Sequence, residues 1–262
     1  MAEERIYLDH NASAPLLSAA REAMVAALDA ANPSSVHAEG RISRRIVEAA
    51  RRDVAALVGA KPEHVVFTSG ASEAAATLLS PEWTMGRAPL RFGRLYVSAA
   101  EHPCILSGGR FPADVVYKIA VNADGLIDLD ALERALAGHD RERGLPLVAV
   151  HAANNETGVI QPFEEIGRIA RTAGATVILD AVQAAGRIPL NISAGYADFF
   201  ILSSHKIGGP KGVGAIVGVS DLMMPRPLIG GGGQEKGHRA GTENVVGIAG
   251  FGAAAREAAA GL

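Results

Sequence analysis

TVILDAVQAAGRIPLNISAGYADFFILSSHKIGGPKGVG, residues Thr176 to Gly214, contains two short apolar runs that each end on polar residues. TVILD ends on Asp180, with Gln183 three positions later. ADFFIL leads into Ser203, Ser204, His205 and Lys206, and Gly208, Gly209, Gly212 and Gly214 follow. Short continuous apolar runs bounded by turn residues read as buried strands of a parallel or mixed sheet. Open α/β sheets bind ligands beyond the carboxyl ends of such strands. An acid, an amide, a histidine and a lysine delivered there make a candidate cofactor site.

Working outward, the alternation of strand-like and helix-like segments over 262 residues points to one large α/β unit. HVVFTSGASEAAATLLS predicts a strand, His64–Thr68, that turns through Ser69-Gly70 into a helix. Such a turn presents unpaired N–H groups and a helix dipole to an anion, and Ser72 adds a hydroxyl. An ordinary capped βα turn is the plain alternative. RLYVSAAEHPCIL predicts a strand from Leu95 to Ser98, then His102 at the start of a helix. His102 suits either a cover for a flat ring or a helix cap. Further strands are expected at Val115–Ile119, Leu147–Val150 and GAIVGV, and a short one at IYLDHNASAP. Helices are expected at Leu16–Ala31, Ile42–Val58, over GLIDLDALERALA, up to Arg171 and at Val245–Ala260. Arg44, Arg45, Arg51 and Arg52 are expected on the wet side of the second helix. Pro225–Asn244 is a long glycine-rich loop, and compact domains seldom keep such a loop without a functional reason.

The totals narrow the function. A net charge of −3 with intermixed signs gives no case for nucleic acid or a membrane surface. No apolar run reaches the roughly 20 residues that span a bilayer. The charged start, MAEERIYLDH, is unlike a secretory signal, and a cytoplasmic protein is expected. The single cysteine, Cys104, excludes an internal disulfide and a cysteine-based zinc site.

A lysine at a strand end loses hydration, which favours the neutral amine needed for Schiff-base chemistry with an aldehyde cofactor. Pyridoxal phosphate also needs an acid at its pyridine nitrogen, and Asp180 lies 26 positions before Lys206. The Ser69–Ser72 turn, Ser203 and His205 could hold its phosphate. His102 could cover the ring, and Gln183 or Asn155 could meet the phenolic oxygen.

The chain resembles the cysteine desulfurases of the class V aminotransferase group, pyridoxal-phosphate enzymes of fold type I. The resemblance rests on YLDHNASAP (7–15), NPSSVHAEGR (32–41), VVFTSGASE (65–73), EHPCIL (101–106), ANNETGVIQP (153–162), LDAVQAAGRIPL (179–190), SSHKIGGPKGVG (203–214) and GGGQEKGHRAGTEN (231–244). It implies a three-layer large domain with a mainly parallel sheet of roughly seven strands. Residues 16–262 would be the cofactor-binding domain, 1–15 an N-terminal segment, and the family's C-terminal small domain would lie beyond Leu262. The resemblance also implies roles: Lys206 bonded to the cofactor, Asp180 at the pyridine nitrogen, His102 on the ring, Gln183 at the phenolic oxygen and Asn155 near the substrate carboxylate. Gly70, Ala71, Ser72, Ser203 and His205 would hold the phosphate, and Thr242 would reach the phosphate of a second copy, giving a homodimer. The substrate would be L-cysteine, and the sulfur would pass to a protein thiol and on to an acceptor such as an iron–sulfur scaffold.

Two departures stand out. Ala75-Ala76 replace the polar residues usual after the phosphate turn, and the persulfide cysteine of the family has no counterpart within the chain. Cys104 is the one thiol, with packing and reactive roles both open. The expectation is a domain that binds the cofactor and desulfurates poorly. A selenocysteine lyase, another class V enzyme and a non-catalytic scaffold are the alternatives.

Overall fold

Continuous runs of β-branched and aromatic residues become strands buried on both faces, and the alanine-rich amphipathic stretches between them become the covering helices. The computed structural model describes residues 6–262. Its strands are β1 (Val65–Thr68), β2 (Glu82–Met85), β3 (Ala88–Ser98), β4 (Val116–Ile119), β5 (Leu145–His151), β6 (Thr176–Asp180), β7 (Phe199–Ser203), β8 (Gly214–Gly218) and β9 (Met223–Pro225). Its helices are α1 (Ser18–Ala26), α2 (Ala38–Leu57), α3 (Ala71–Leu78), α4 (Pro103–Leu106), α5 (Leu129–Ala137), α6 (Phe163–Thr172) and α7 (Val245–Ala260).

Seven strands form the main sheet in the order β1-β8-β7-β6-β5-β3-β4, and four of its six pairings are parallel. β2 and β9 add an antiparallel ribbon to the first half of β3. Alternate strand residues serve two cores. Phe67, Val150, Leu179 and Leu202 pack in the larger core with residues of α2, α5, α6 and α7. Val66, Ala149, Ile178 and Ile201 pack in the second core with α3, Ile105 of α4 and Trp83. Trp83 stands edge-on to Phe92 and Phe199, each with ring centroids 5.2 Å away. No helix among the described residues is long and apolar enough to cross a membrane.

Two expectations need correcting. Residues 6–9 form no strand; Ile6 and Leu8 are exposed, and the chain from Ala14 to Leu17 instead bonds to His205 O and Gly208 O. Arg51 does not share the wet face of Arg44, Arg45 and Arg52 but is only 4% exposed. Glu235 explains this. Its carboxylate takes both terminal nitrogens of Arg51 at 2.7 Å, and the guanidinium lies 4.9 Å from the Phe67 ring centroid. β1 is the last strand on its side of the sheet, and two of its outward groups are satisfied by this pair: Arg51 donates to Val65 O and Phe67 N donates to Glu235.

Candidate active site

Side chains two residues apart on a strand share a face. Asp180, Ser203, His151 and Thr68 each follow by two the residues Ile178, Ile201, Ala149 and Val66, which pack on the α3 side. Strand period therefore delivers four polar residues to one face at the carboxyl ends of β6, β7, β5 and β1. A cavity of about 650 Å³ opens there, between these ends, the start of α3, His102 and residues 9–13. It brings together Gly70, Ala71, Ser72, His102, Asn155, Asp180, Gln183, Ser203, His205 and Lys206. Thr242 is the exception. It lies in a separate depression of about 190 Å³ that shares the wall of Ser69, Gly212 and Val213.

At the inner end, Asp180 Oδ1 accepts from Val182 N at 3.0 Å, and among the described residues the other oxygen has no donor. Burial pushes this carboxyl up, against the Val182 N–H and nearby positive charge at Lys206. Lys206 occupies the short helical turn that follows β7, with Nζ donating to Asn11 O and Ala12 O. Burial, and then the neighbouring Arg187 guanidinium, hold its amine below the ordinary lysine value. Gln183 donates to Asn11 O at 2.9 Å and accepts from Arg187 at 2.8 Å. Asn155 donates to Glu156 at 2.7 Å. His151, which the sequence reading left out, is held by Glu101 at 2.7 Å and Gln161 at 3.1 Å.

His102 fulfils one of its two sequence-based alternatives and keeps the other open. It caps α4, with Nδ1 accepting from Cys104 N at 3.2 Å, while its ring also lines the cavity. The Cys104 sulfur lies 3.0 Å from the same nitrogen. Burial, reinforced by the Asp180 and Glu101 carboxylates, pushes its thiol up to about 12.

At the outer end, Gly70 turns the chain with φ +158°, and a Cβ there would meet nothing within 4 Å because it would project into open space. Gly214 lies close beneath. A Cβ on it would sit 2.6 Å from the Gly70 carbonyl carbon and 2.7 Å from Leu202 O. The Ala71, Ser72 and Glu73 N–H groups head α3 with no acceptor in the preceding turn. Ser203 is buried, and its hydroxyl has no partner among the described residues. His205 accepts from or donates to Ser13 Oγ at 3.2 Å, and burial with the Lys206 and Lys211 charges holds it low. Glu73 accepts from Ser69 N at 2.8 Å and pairs with Arg239 at 3.0 Å. Glu73, Lys211 and the 9–13 segment were missed from sequence. The signal for them was their position inside the segments 7–15, 65–73 and 203–214 that carry the family resemblance.

The model of the family "Aminotransferase class-V" matches residues 6–261. The cysteine desulfurase of Frankia sp. (strain EuIK1) is 44% identical over 268 residues, covering 97% of this chain. The chain spans 62% of that relative's length. The NifS-like protein from Rickettsia africae ESF-5 superposes with a TM-score of 0.86 at 36% identity, covering 98% of this chain and 69% of that one. SspA in complex with cysteine gives a TM-score of 0.80 at 32% identity, covering 96% and 72%. The fold is thus that of a fold type I large domain, and the chain belongs to the class V aminotransferase family, whose enzymes work with pyridoxal phosphate, and it is similar to cysteine desulfurases within it.

Proposed function

We propose that the cavity is a pyridoxal-phosphate site of cysteine desulfurase type, converting L-cysteine to L-alanine with the sulfur passed to a protein thiol as a persulfide. The donor set fits the cofactor. One oxygen of the buried Asp180 has no donor among the described residues, the open space before Gly70 adjoins the free N–H groups of α3, and Ser203 has an unpartnered hydroxyl. Asp180 would hold the pyridine nitrogen and Lys206 would make the covalent bond. His102 would cover the ring, and Gln183 would meet the phenolic oxygen. Gly70, Ala71, Ser72, Ser203 and His205 would take the phosphate. When bound, the cofactor supplies an electron sink next to the substrate's α-carbon.

The chain's own groups have the properties these roles require. Lys206 Nζ, held low by burial, would supply the amine that holds the cofactor's aldehyde and a base for the substrate's α-proton. Asn155, which lines the same cavity, would orient the substrate carboxylate. The Asn11 and Ala12 carbonyls accept from Lys206 Nζ at the cavity mouth. The cysteine bound by the SspA neighbour supports the choice of substrate.

The observation that carries the reading is the convergence of a depressed lysine and a buried, half-partnered aspartate on one cavity. Adding pyridoxal phosphate is expected to produce a visible absorption band in the wild type and none in Lys206→Ala. A band that persists in Lys206→Ala refutes the lysine assignment, and no band in the wild type favours the scaffold reading.

With its thiol near 12, Cys104 is a poor nucleophile at neutral pH. Sulfur acceptance therefore falls to a thiol outside these 262 residues, and alanine release from L-cysteine by this chain alone is expected to be slow. Residues 16–262 would be the cofactor-binding domain and 1–15 an N-terminal segment, of which Asp9, Asn11, Ala12 and Ser13 line the cavity. We further propose a homodimer in which Thr242 of each copy serves the other's phosphate; light scattering that finds only monomer would overturn it. An acceptor such as an iron–sulfur scaffold would take the sulfur onward.

A further inference from the structure

The phosphate end of the proposed site contains a carboxylate that electrostatics alone would keep out. Glu73 lies in the first turn of α3 and lines the same cavity as the open space before Gly70, and its side chain is only 9% exposed. There it has a mechanical task. Oε2 accepts the Ser69 N–H at 2.8 Å and so ties the turn between β1 and α3 to the helix behind it. A negative charge at that position also opposes any anion bound by the same helix end.

Arg239 resolves the conflict. It comes from the glycine-rich loop between β9 and α7 and donates Nε to Glu73 Oε1 at 3.0 Å and Nη2 to Oε2 at 3.4 Å. It reaches Glu73 from the side of the second depression, whose wall includes Arg239 but which is separate from the cavity. The loop itself is anchored four residues earlier, where Glu235 grips Arg51 and Phe67 N. Glu235 and Lys236 hold left-handed backbone there, at φ 46° and 58°. Non-glycine residues adopt that conformation at a cost, and the buried ion pair offsets it. The loop thus holds both sides of the turn, at β1 through Glu235 and at α3 through Arg239. Ser203, buried with an unpartnered hydroxyl in the same cavity, independently indicates a polar ligand at this end.

We propose that Arg239 is a charge-neutralising positioning residue: by pairing with Glu73 it lets a carboxylate fasten the Ser69–Gly70 turn without repelling the anionic end of the cofactor. The inference rests on the reading of the cavity as a pyridoxal-phosphate site.

The test compares pyridoxal phosphate with pyridoxal, which lacks the phosphate, by absorbance titration of the 262-residue chain. Arg239→Ala is expected to lose about tenfold in affinity for pyridoxal phosphate, or about 1.4 kcal/mol, with affinity for pyridoxal unchanged. Adding Glu73→Gln, which keeps an acceptor for Ser69 N and removes the charge, should restore most of that loss. Arg239→Lys, which keeps the charge without the fork, should stay near wild type and covers the case in which the alanine variant folds poorly. Equal losses for both ligands would overturn the proposal by showing that the pair only supports the fold. A double variant no better than Arg239→Ala would also overturn it. A wild type that does not prefer pyridoxal phosphate over pyridoxal would instead remove the cofactor reading beneath it.

Discussion

Replacing Glu235 with glutamine keeps the shape of a side chain that makes three charge-assisted contacts and removes only its charge. The Glu235 side chain is 2% exposed and that of Arg51 5%, so water screens neither. In the variant, one guanidinium nitrogen faces an amide nitrogen, donor against donor, and the buried cation keeps only the neutral amide oxygen, the Val65 carbonyl and Glu48. Removing one member of a buried pair costs about 3–5 kcal/mol. Glu48, at 3.2 Å but half exposed, returns up to about 1 kcal/mol as a surface pair would. The expected loss is therefore about 2–4 kcal/mol, which at roughly 2–4 °C per kcal/mol lowers Tm by about 4–16 °C. Urea unfolding followed by the fluorescence of Trp83, the single tryptophan, measures it, and the m-value should not change. Exchanging both partners for methionine should recover only part of the loss, because the Phe67 N–H and the Val65 carbonyl would then lack partners. A loss below about 1 kcal/mol for Glu235→Gln would show that the pair does not hold the loop.

Other outcomes follow from the same site. Because burial and Arg187 depress the Lys206 amine, its reaction with pyridoxal should gain its neutral form at a pH below the ordinary 10.5, and Arg187→Met should move that midpoint upward; no movement would leave burial as the whole cause. Gly214→Ala places a methyl group against the Gly70 backbone, so a loss of about 1–3 kcal/mol in stability and a weaker affinity for pyridoxal phosphate are expected together, by melting and titration. With its thiol pushed up to about 12, Cys104 should be alkylated by iodoacetamide at neutral pH at least about a hundredfold more slowly than in the urea-unfolded chain; equal rates would contradict the burial argument.

Much of this was legible where local sequence and buried environment agree. β6, β7 and β8 are short apolar runs between turn residues, and α7 begins and ends where its alanine-rich pattern does. The polar ends of β6 and β7 identified the site because strand period and sheet end are local properties. The β2–β3 ribbon was missed because EWTM and APLRF show no clean alternation; Trp83 is buried by Phe92 and Phe199, which only the fold brings near. Arg51 reads like its three exposed neighbours because its partner lies 184 positions away. The roles of Glu73 and Arg239 were illegible for the same reason, being defined by a contact across 166 positions. The segment at residues 6–9 looked like a strand by composition but found no neighbour to pair with.

The far side of β1 has one more consequence. A terminal strand normally offers a row of free N–H and C=O groups to any extended peptide, which is how sheets recruit foreign segments and how they aggregate. Here Glu235 and Arg51 occupy those positions from within the chain. A visiting peptide would have to displace a buried ion pair before forming its first ladder bond. Growth by strand addition is closed on this flank, and association there must proceed through side-chain surfaces.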